Sequence, residues 1–158
     1  MQGRLVEVDR NKNEVWSYQR PQQDMVRAKR LPSGEVAFIT NQGVGATFTR
    51  MDPKTQKVNK SFTIGQVSML FGNWEVLPNG HILVPHYNQA SVIEYDDNGK
   101  QVGNPFVGQQ WPNSAARLSN GNTLIASQNI RKVFEYDINR NQVWNYDTVG
   151  NVFVARKR

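Results

Sequence analysis

The chain of 158 residues contains no cysteine, which removes disulfides, thiolate zinc sites and cysteine nucleophiles together. Histidine is scarce as well: His81 and His86 are the only two. No apolar run approaches the ~20 residues that cross a bilayer, so no membrane association is expected. The N-terminus, MQGRLVEVDR, lacks the apolar stretch of a signal peptide. The chain reads as soluble and untargeted, or as one that has lost its leader. Twelve glycines and seven prolines are close to ordinary usage and exclude collagen and low complexity. Hydrophobic residues make up 38%, lean but sufficient for one packed domain.

Charge is present but unevenly placed. Residues 1–60 hold eleven Lys/Arg against six Asp/Glu, whereas residues 61–158 hold eight against seven. A basic chain suits polyanions. However, Lys54, Lys57 and Lys60 alternate with polar residues as solvated strand and turn positions do. Specific nucleic-acid binding is therefore not expected.

The organising feature is a repeat. A Leu-x-x-Gly turn occurs as Leu31-Pro32-Ser33-Gly34, Leu77-Pro78-Asn79-Gly80 and Leu118-Ser119-Asn120-Gly121. An aspartate closes an alternating segment at Asp9, Asp52, Asp96 and Asp137, and a valine stands six residues later at Val15, Val58, Val102 and Val143. Tryptophan follows two of these valines, at Trp16 and Trp144. Around the turns and aspartates the residues alternate apolar and polar, as half-buried antiparallel strands must. Each period predicts four strands: A (26–30, 74–76, 115–117) before the turn, B (35–40, 81–85, 122–127) after it, C (47–51, 91–95, 133–136) ending in the aspartate, and D (57–63, 101–102 onward, 142–146) carrying the valine. Asn-Gly at 79–80, 98–99 and 120–121 predicts hairpins of the type I′ kind.

Four antiparallel strands per ~40–45 residues describe a β-propeller blade. The fold class expected is all-β: a propeller of about four blades, or the C-terminal half of a larger one. Residues 1–20 supply strands C and D, blades span 21–65, 66–109 and 110–150, and 151–158 begins a further strand A. An open fan exposes blade faces, so a second copy or missing blades should complete it. Trp16 and Trp144, at equivalent outer positions, are expected between blades. Glu7, Glu94 and Glu135, two residues before three of the aspartates, are expected to pair with a cation on an adjacent strand.

The segment from Ser114 to Ser127, then Val133-Phe134-Glu135-Tyr136-Asp137 and Gln142-Val143-Trp144, resembles the bacterial quinoprotein-like (PQQ-like) and arylsulfotransferase-like propeller repeats. The resemblance spans nearly the whole chain. It implies fold rather than activity, and members are often exported. The tryptophan-docking and acidic calcium patterns of the quinone enzymes are absent, so no cofactor is expected. His86 alone would suit the histidine nucleophile of sulfotransfer, and no surrounding motif supports it.

Loops on a rigid scaffold are where recognition sits. The B–C and D–A loops are longer and richer than the tight A–B and C–D hairpins, so they form the expected binding face, with the channel mouth as its pocket. Its candidates are Asn41, Gln42, His86, Tyr87, Asn88, Gln128 and Asn129. Strand A, as the innermost strand, adds Arg27, Trp74 and Arg117, either toward an anionic or ring-bearing ligand or as packing and ion-pair residues. His81 and His86 sit on different faces, so no metal site is expected. The reading is a non-catalytic module that holds a protein segment or small ligand. The alternative is part of a quinoprotein-like or arylsulfotransferase-like enzyme completed by missing blades.

Overall fold

The structure, a computed structural model, describes residues 3–41, 45–67 and 72–157. It is built of antiparallel strands, with one 3-10 turn at Tyr87–Gln89. Sheet I pairs β1 (Gly3–Val8) with β2 (Glu14–Arg20). Sheet II runs β3 (Met25–Arg30), β4 (Val36–Asn41), β5 (Ala46–Met51) and β6 (Val58–Ile64) in order. Sheet III contains β7 (Glu75–Val76), β8 (Ile82–His86), β9 (Ser91–Tyr95) and β10 (Phe106–Val107). Sheet IV contains β11 (Pro112–Arg117), β12 (Thr123–Ser127), β13 (Lys132–Tyr136) and β14 (Gln142–Asp147). Three sheets are thus complete four-stranded blades, and sheet I is the C–D half of a fourth. The chain divides into two compact units, one ending at Gln66 and the other beginning at Val67.

The repeated residues make the turns. Leu31, Leu77 and Leu118 each accept the N–H of the glycine three residues on, and each donates its own N–H to the residue after that glycine. Gly34, Gly80 and Gly121 stand at φ +84°, +88° and +86°, where a side chain would strain the backbone. The preceding Asn79 and Asn120 are not left-handed. These hairpins are therefore three-residue loops ending in a glycine bulge, not the type I′ turns that Asn-Gly suggests.

The aspartates close the C–D hairpins by accepting hydrogen bonds. Asp9 Oδ1 accepts the N–H of Asn11 and Asn13, Asp96 Oδ1 those of Asn98 and Lys100, and Asp52 and Asp137 those of Lys54 and Asn141. These bonds hold all four carboxyls below the usual aspartate range. The largest cause is a backbone N–H for Asp9 (Asn13), Asp52 (Lys54) and Asp96 (Lys100), and the Asn141 side chain for Asp137. With depressed folded-state values, the unfolded chain takes up protons first. The stabilisation is complete above the ordinary carboxylate range and is lost as pH falls through the folded values. The urea midpoint is therefore expected to hold from neutrality to about pH 5 and to fall steeply below about pH 4. Asp96→Asn should make that fall shallower, and an unchanged acid limb would contradict the assignment.

Strand D of the third sheet departs from the expectation. Gln101 makes only an isolated bridge to Tyr95, and pairing resumes at Phe106. Between them Gly103 stands at φ +63° and Pro105 has no N–H to donate. The expected strand at the C-terminal tail does not form either: residues 151–157 are assigned to no sheet.

Within each unit, successive sheets pack face to face. In the first, Val36, Phe38 and Met51 form a core that Leu5, Trp16 and Tyr18 of sheet I cover. Trp16 Nε1 donates to the Pro53 carbonyl at 2.7 Å, and the Arg30 guanidinium lies 5.6 Å from the Trp16 ring centre. In the second, Leu83, Val92 and Phe106 of sheet III meet Ala115, Ile125, Phe134 and Tyr136 of sheet IV. The Arg140 guanidinium lies 4.6 Å from the Phe106 ring centre.

The phased glutamates bridge these junctions, as their recurrence predicts. Glu7 of sheet I pairs with Arg30 of sheet II, Glu94 of sheet III with Arg117 of sheet IV, and Glu135 of sheet IV with Lys157 of the tail. Sheet II is the exception in the sequence: Arg50 occupies the glutamate position and pairs at 2.5 Å with Glu35, the residue before β4.

Candidate functional site

In the second unit three connections share one end. The β8–β9 connection carries Tyr87 and Asn88, the β12–β13 connection carries Gln128 and Asn129, and the β10–β11 connection carries Gln110 and Trp111. The Tyr87 and Trp111 rings stack at 5.4 Å with 19° between their planes. Tyr87 Oη lies 3.5 Å from Gln128 Oε1, which also accepts Asn113 Nδ2 at 3.0 Å. Asn129 Nδ2 donates to Gln110 Oε1 at 2.6 Å, and the Gln128 N–H donates to the Trp111 carbonyl at 3.1 Å.

The connection that presents Trp111 is anchored from beneath. Gln109 is fully buried, and its Nε2 donates to the Val107 carbonyl and to Tyr136 Oη. Ser127 Oγ donates to the Gln110 carbonyl. Trp111 is nonetheless 44% exposed. It stands at φ +55° immediately before Pro112, where sterics favour extended backbone. Holding a large ring open to solvent in a disfavoured conformation is a feature of sites rather than of cores.

The seven candidates from the expected loop face and the three from strand A separate accordingly. Tyr87, Asn88, Gln128 and Asn129 come to this one end, with Asn88 and Asn129 exposed. His86 does not reach it. As the last residue of β8 it is 0% exposed, its Nε2 lies 2.9 Å from Tyr95 Oη, and its ring meets Tyr95 edge-on at 5.9 Å. Arg117 is tied into the sheet III–sheet IV junction. Its N–H donates to Glu75 Oε2 at 2.7 Å, and its guanidinium serves Glu94 and the Gly121 carbonyl. Trp74 is buried at 1% exposure, which makes it a packing residue. Asn41 and Arg27 belong to the first unit, where Asn41 donates its N–H to the Asp24 carbonyl and Arg27 lies exposed on β3. Gln42 lies outside the described residues.

Trp16 and Trp144 also separate. Trp16 is covered as expected, whereas Trp144 is 46% exposed and stacks on Tyr146. Gln110, Trp111 and Asn113 lie in a D–A loop of the expected face but were not among the individual candidates. The signal available was the Gln-Gln-Trp-Pro run in a loop between strands, since a tryptophan before a proline in a turn has no core to enter.

Chemically, the cluster offers an aromatic plate bordered by amides that both donate and accept. It holds no thiol, imidazole or carboxylate. Among the described residues no group of three or more His, Asp or Glu gathers in metal-ligand fashion.

No known family profile matches the chain, and no curated protein does. Solved structures do. A protein of unknown function from Bacteroides caccae matches with a TM-score of 0.76 and 22% identity, over 96% of this chain and 58% of its own. A catalytically inactive virginiamycin B lyase from Staphylococcus aureus, solved with quinupristin, matches at 0.63 and 15%, over 90% and 47%. BamB from Moraxella catarrhalis matches at 0.61 and 16%, over 92% and 44%. The chain thus spans about half the length of these structures. At such identities the likeness concerns fold alone, and among these three nothing carries the arylsulfotransferase-like part of the resemblance. Together with the phased four-stranded sheets, it gives the chain the repeat fold of a β-propeller.

Proposed function

We propose that this chain is a non-catalytic binding module, and that it presents the Tyr87–Trp111 end of its second unit to a protein segment or a small ligand. The observation that carries this reading is the stacked Tyr87–Trp111 pair, open to solvent and bordered by Asn88, Gln110, Gln128 and Asn129. Exposed aromatics set on rigid backbone are the usual anchors of recognition. Amides at the border supply direction without the desolvation cost of charge. A propeller of this fold solved with quinupristin lends support for a small ligand. The burial of His86 argues against the enzymatic alternative, because a base or nucleophile must reach its substrate.

The test is selection of a phage-displayed peptide library on the wild-type chain, followed by affinity measurement on Trp111→Ala. Enriched peptides should lose at least about tenfold in affinity, while the urea midpoint of the variant stays within about 1 kcal/mol of wild type in stability. Peptides that bind both proteins equally would place recognition elsewhere.

A further inference from the structure

The three connections at the Tyr87–Trp111 end are residues 87–90, 108–111 and 128–131. Half of their residues are amides: Asn88, Gln89, Gln109, Gln110, Gln128 and Asn129. Arg131 is their one charged residue. Two of the amides hold the scaffold, Gln109 on the Val107 carbonyl and Gln128 on Asn113. The other four, Asn88, Gln89, Gln110 and Asn129, are exposed. Turn geometry does not account for them. The left-handed positions, where backbone conformation would explain an asparagine, are taken instead by Ala90, Gly108, Trp111 and Arg131.

The exposed groups are oriented by one another. Tyr87 stacks on one face of the Trp111 ring, which leaves the other face to solvent. Trp111 Nε1 has no hydrogen-bond partner among the described residues. Asn129 Nδ2 donates to Gln110 Oε1, which fixes how both amides face. The two atoms left over are a donor, Gln110 Nε2, and an acceptor, Asn129 Oδ1, and neither is partnered among the described residues. A ring face thus stands next in the chain to a paired donor and acceptor, with no carboxylate in the three connections.

We infer that this surface binds a neutral saccharide, with the C–H face of a sugar ring on Trp111 and neighbouring hydroxyls on the Gln110–Asn129 pair; the inference rests on the binding reading proposed above. Three features favour that class. The face of an aromatic ring is the negative part of its quadrupole, so it attracts the polarised C–H bonds of a sugar without any charge in the site. A hydroxyl both donates and accepts, so two adjacent hydroxyls satisfy Gln110 Nε2 and Asn129 Oδ1 together. A phosphate or sulfate ligand calls for clustered cations, and Arg131 is alone. A peptide held through its main chain would need a strand edge, whereas this surface is made of loops.

Affinity electrophoresis of the full chain tests this, in gels carrying a soluble β-glucan, a xylan or a galactomannan, with calorimetric titration of the matching oligosaccharides. At least one of these neutral polymers should retard the wild type. Trp111→Ala and Gln110→Ala should each weaken binding by at least about tenfold, with unchanged circular dichroism. Arg131→Gln, or salt at about 0.5 M, should change it by less than about twofold, because no charge is matched. No retardation by any of the three polymers overturns the inference. So does retardation that both Trp111→Ala and Gln110→Ala retain, or that salt abolishes. If the polymers fail while peptides bind in a Trp111-dependent way, the binding reading stands and its occupant is a peptide. If peptides fail as well, both readings fall.

Discussion

Phe38→Ala is expected to cost about 3–5 kcal/mol of stability, the range for emptying a large aromatic site in a close-packed core. Phe38 is 1% exposed and sits between Val36 and Met51. Its ring meets Tyr18 of sheet I at 5.6 Å, tilted by 39°. The substitution therefore removes a ring against which sheet I packs, besides leaving a void. A two-stranded sheet has little stability of its own, so amide protection in β1 and β2 should collapse before that of β4 and β5. The measurements are the urea midpoint and residue-resolved hydrogen exchange. A loss below about 1 kcal/mol, or uniform loss of protection over both sheets, would contradict this picture of the junction. Trp111→Ala provides the contrast, since a comparably large ring is removed from a solvent-facing position.

The second large effect concerns the ion pair joining sheets III and IV. Glu94 is buried, with Arg117 on one carboxylate oxygen and His81 Nδ1 at 2.8 Å from the other. Removing it with Glu94→Ala leaves the mostly buried Arg117 guanidinium without its carboxylate. The expected cost is about 2–3 kcal/mol, because an orphaned buried charge loses far more than the net worth of its pair. Glu7→Ala, at the equivalent position of sheet I, should cost under about 1 kcal/mol. Its carboxylate and the Arg30 side chain are 41% and 36% exposed, so water takes the place of the lost partner. The double variant Glu94→Ala, Arg117→Ala should be less destabilised than the sum of the single variants. Strict additivity would show that the two groups do not interact.

The contrast between these two glutamates shows where residue order suffices and where it does not. Their shared register, two residues before an aspartate, already implied a structural cation on a neighbouring strand, and Arg30 of β3 and Arg117 of β11 are those cations, while Glu135 finds Lys157 of the tail, which lies in no strand. The strand order within a blade was equally legible. Alternation, a glycine turn and an aspartate turn recurring at one spacing leave the backbone few other ways to satisfy its hydrogen bonds. Where local chemistry departed from the repeat, the strands departed too: Gly103 and Pro105 cut β10 to two residues. The type of the Asn-Gly hairpins is not legible in the sequence, because a glycine bulge and a type I′ turn draw on the same dipeptide.

The candidate site was only half legible. Loop membership brought Tyr87, Asn88, Gln128 and Asn129 forward, but it also brought His86, which the structure buries against Tyr95. A residue at the end of a strand points either into the sheet stack or out of it, and a one-residue difference in where the strand stops decides which. Trp144 illustrates the same limit at longer range. Its register matches that of Trp16, yet burial depends on whether another sheet lies over it, and no local pattern encodes that.

The amino-acid order by itself determined the repeat, the turns, the four-strand sheet and the residues in phase, because these rest on backbone geometry and near-neighbour hydrogen bonds. Only the tertiary structure decided which of the equivalent positions are covered, which histidine is sealed away, and which tryptophans face water. Those outcomes depend on contacts between sheets, and residues that are alike in sequence differ there by what lies against them.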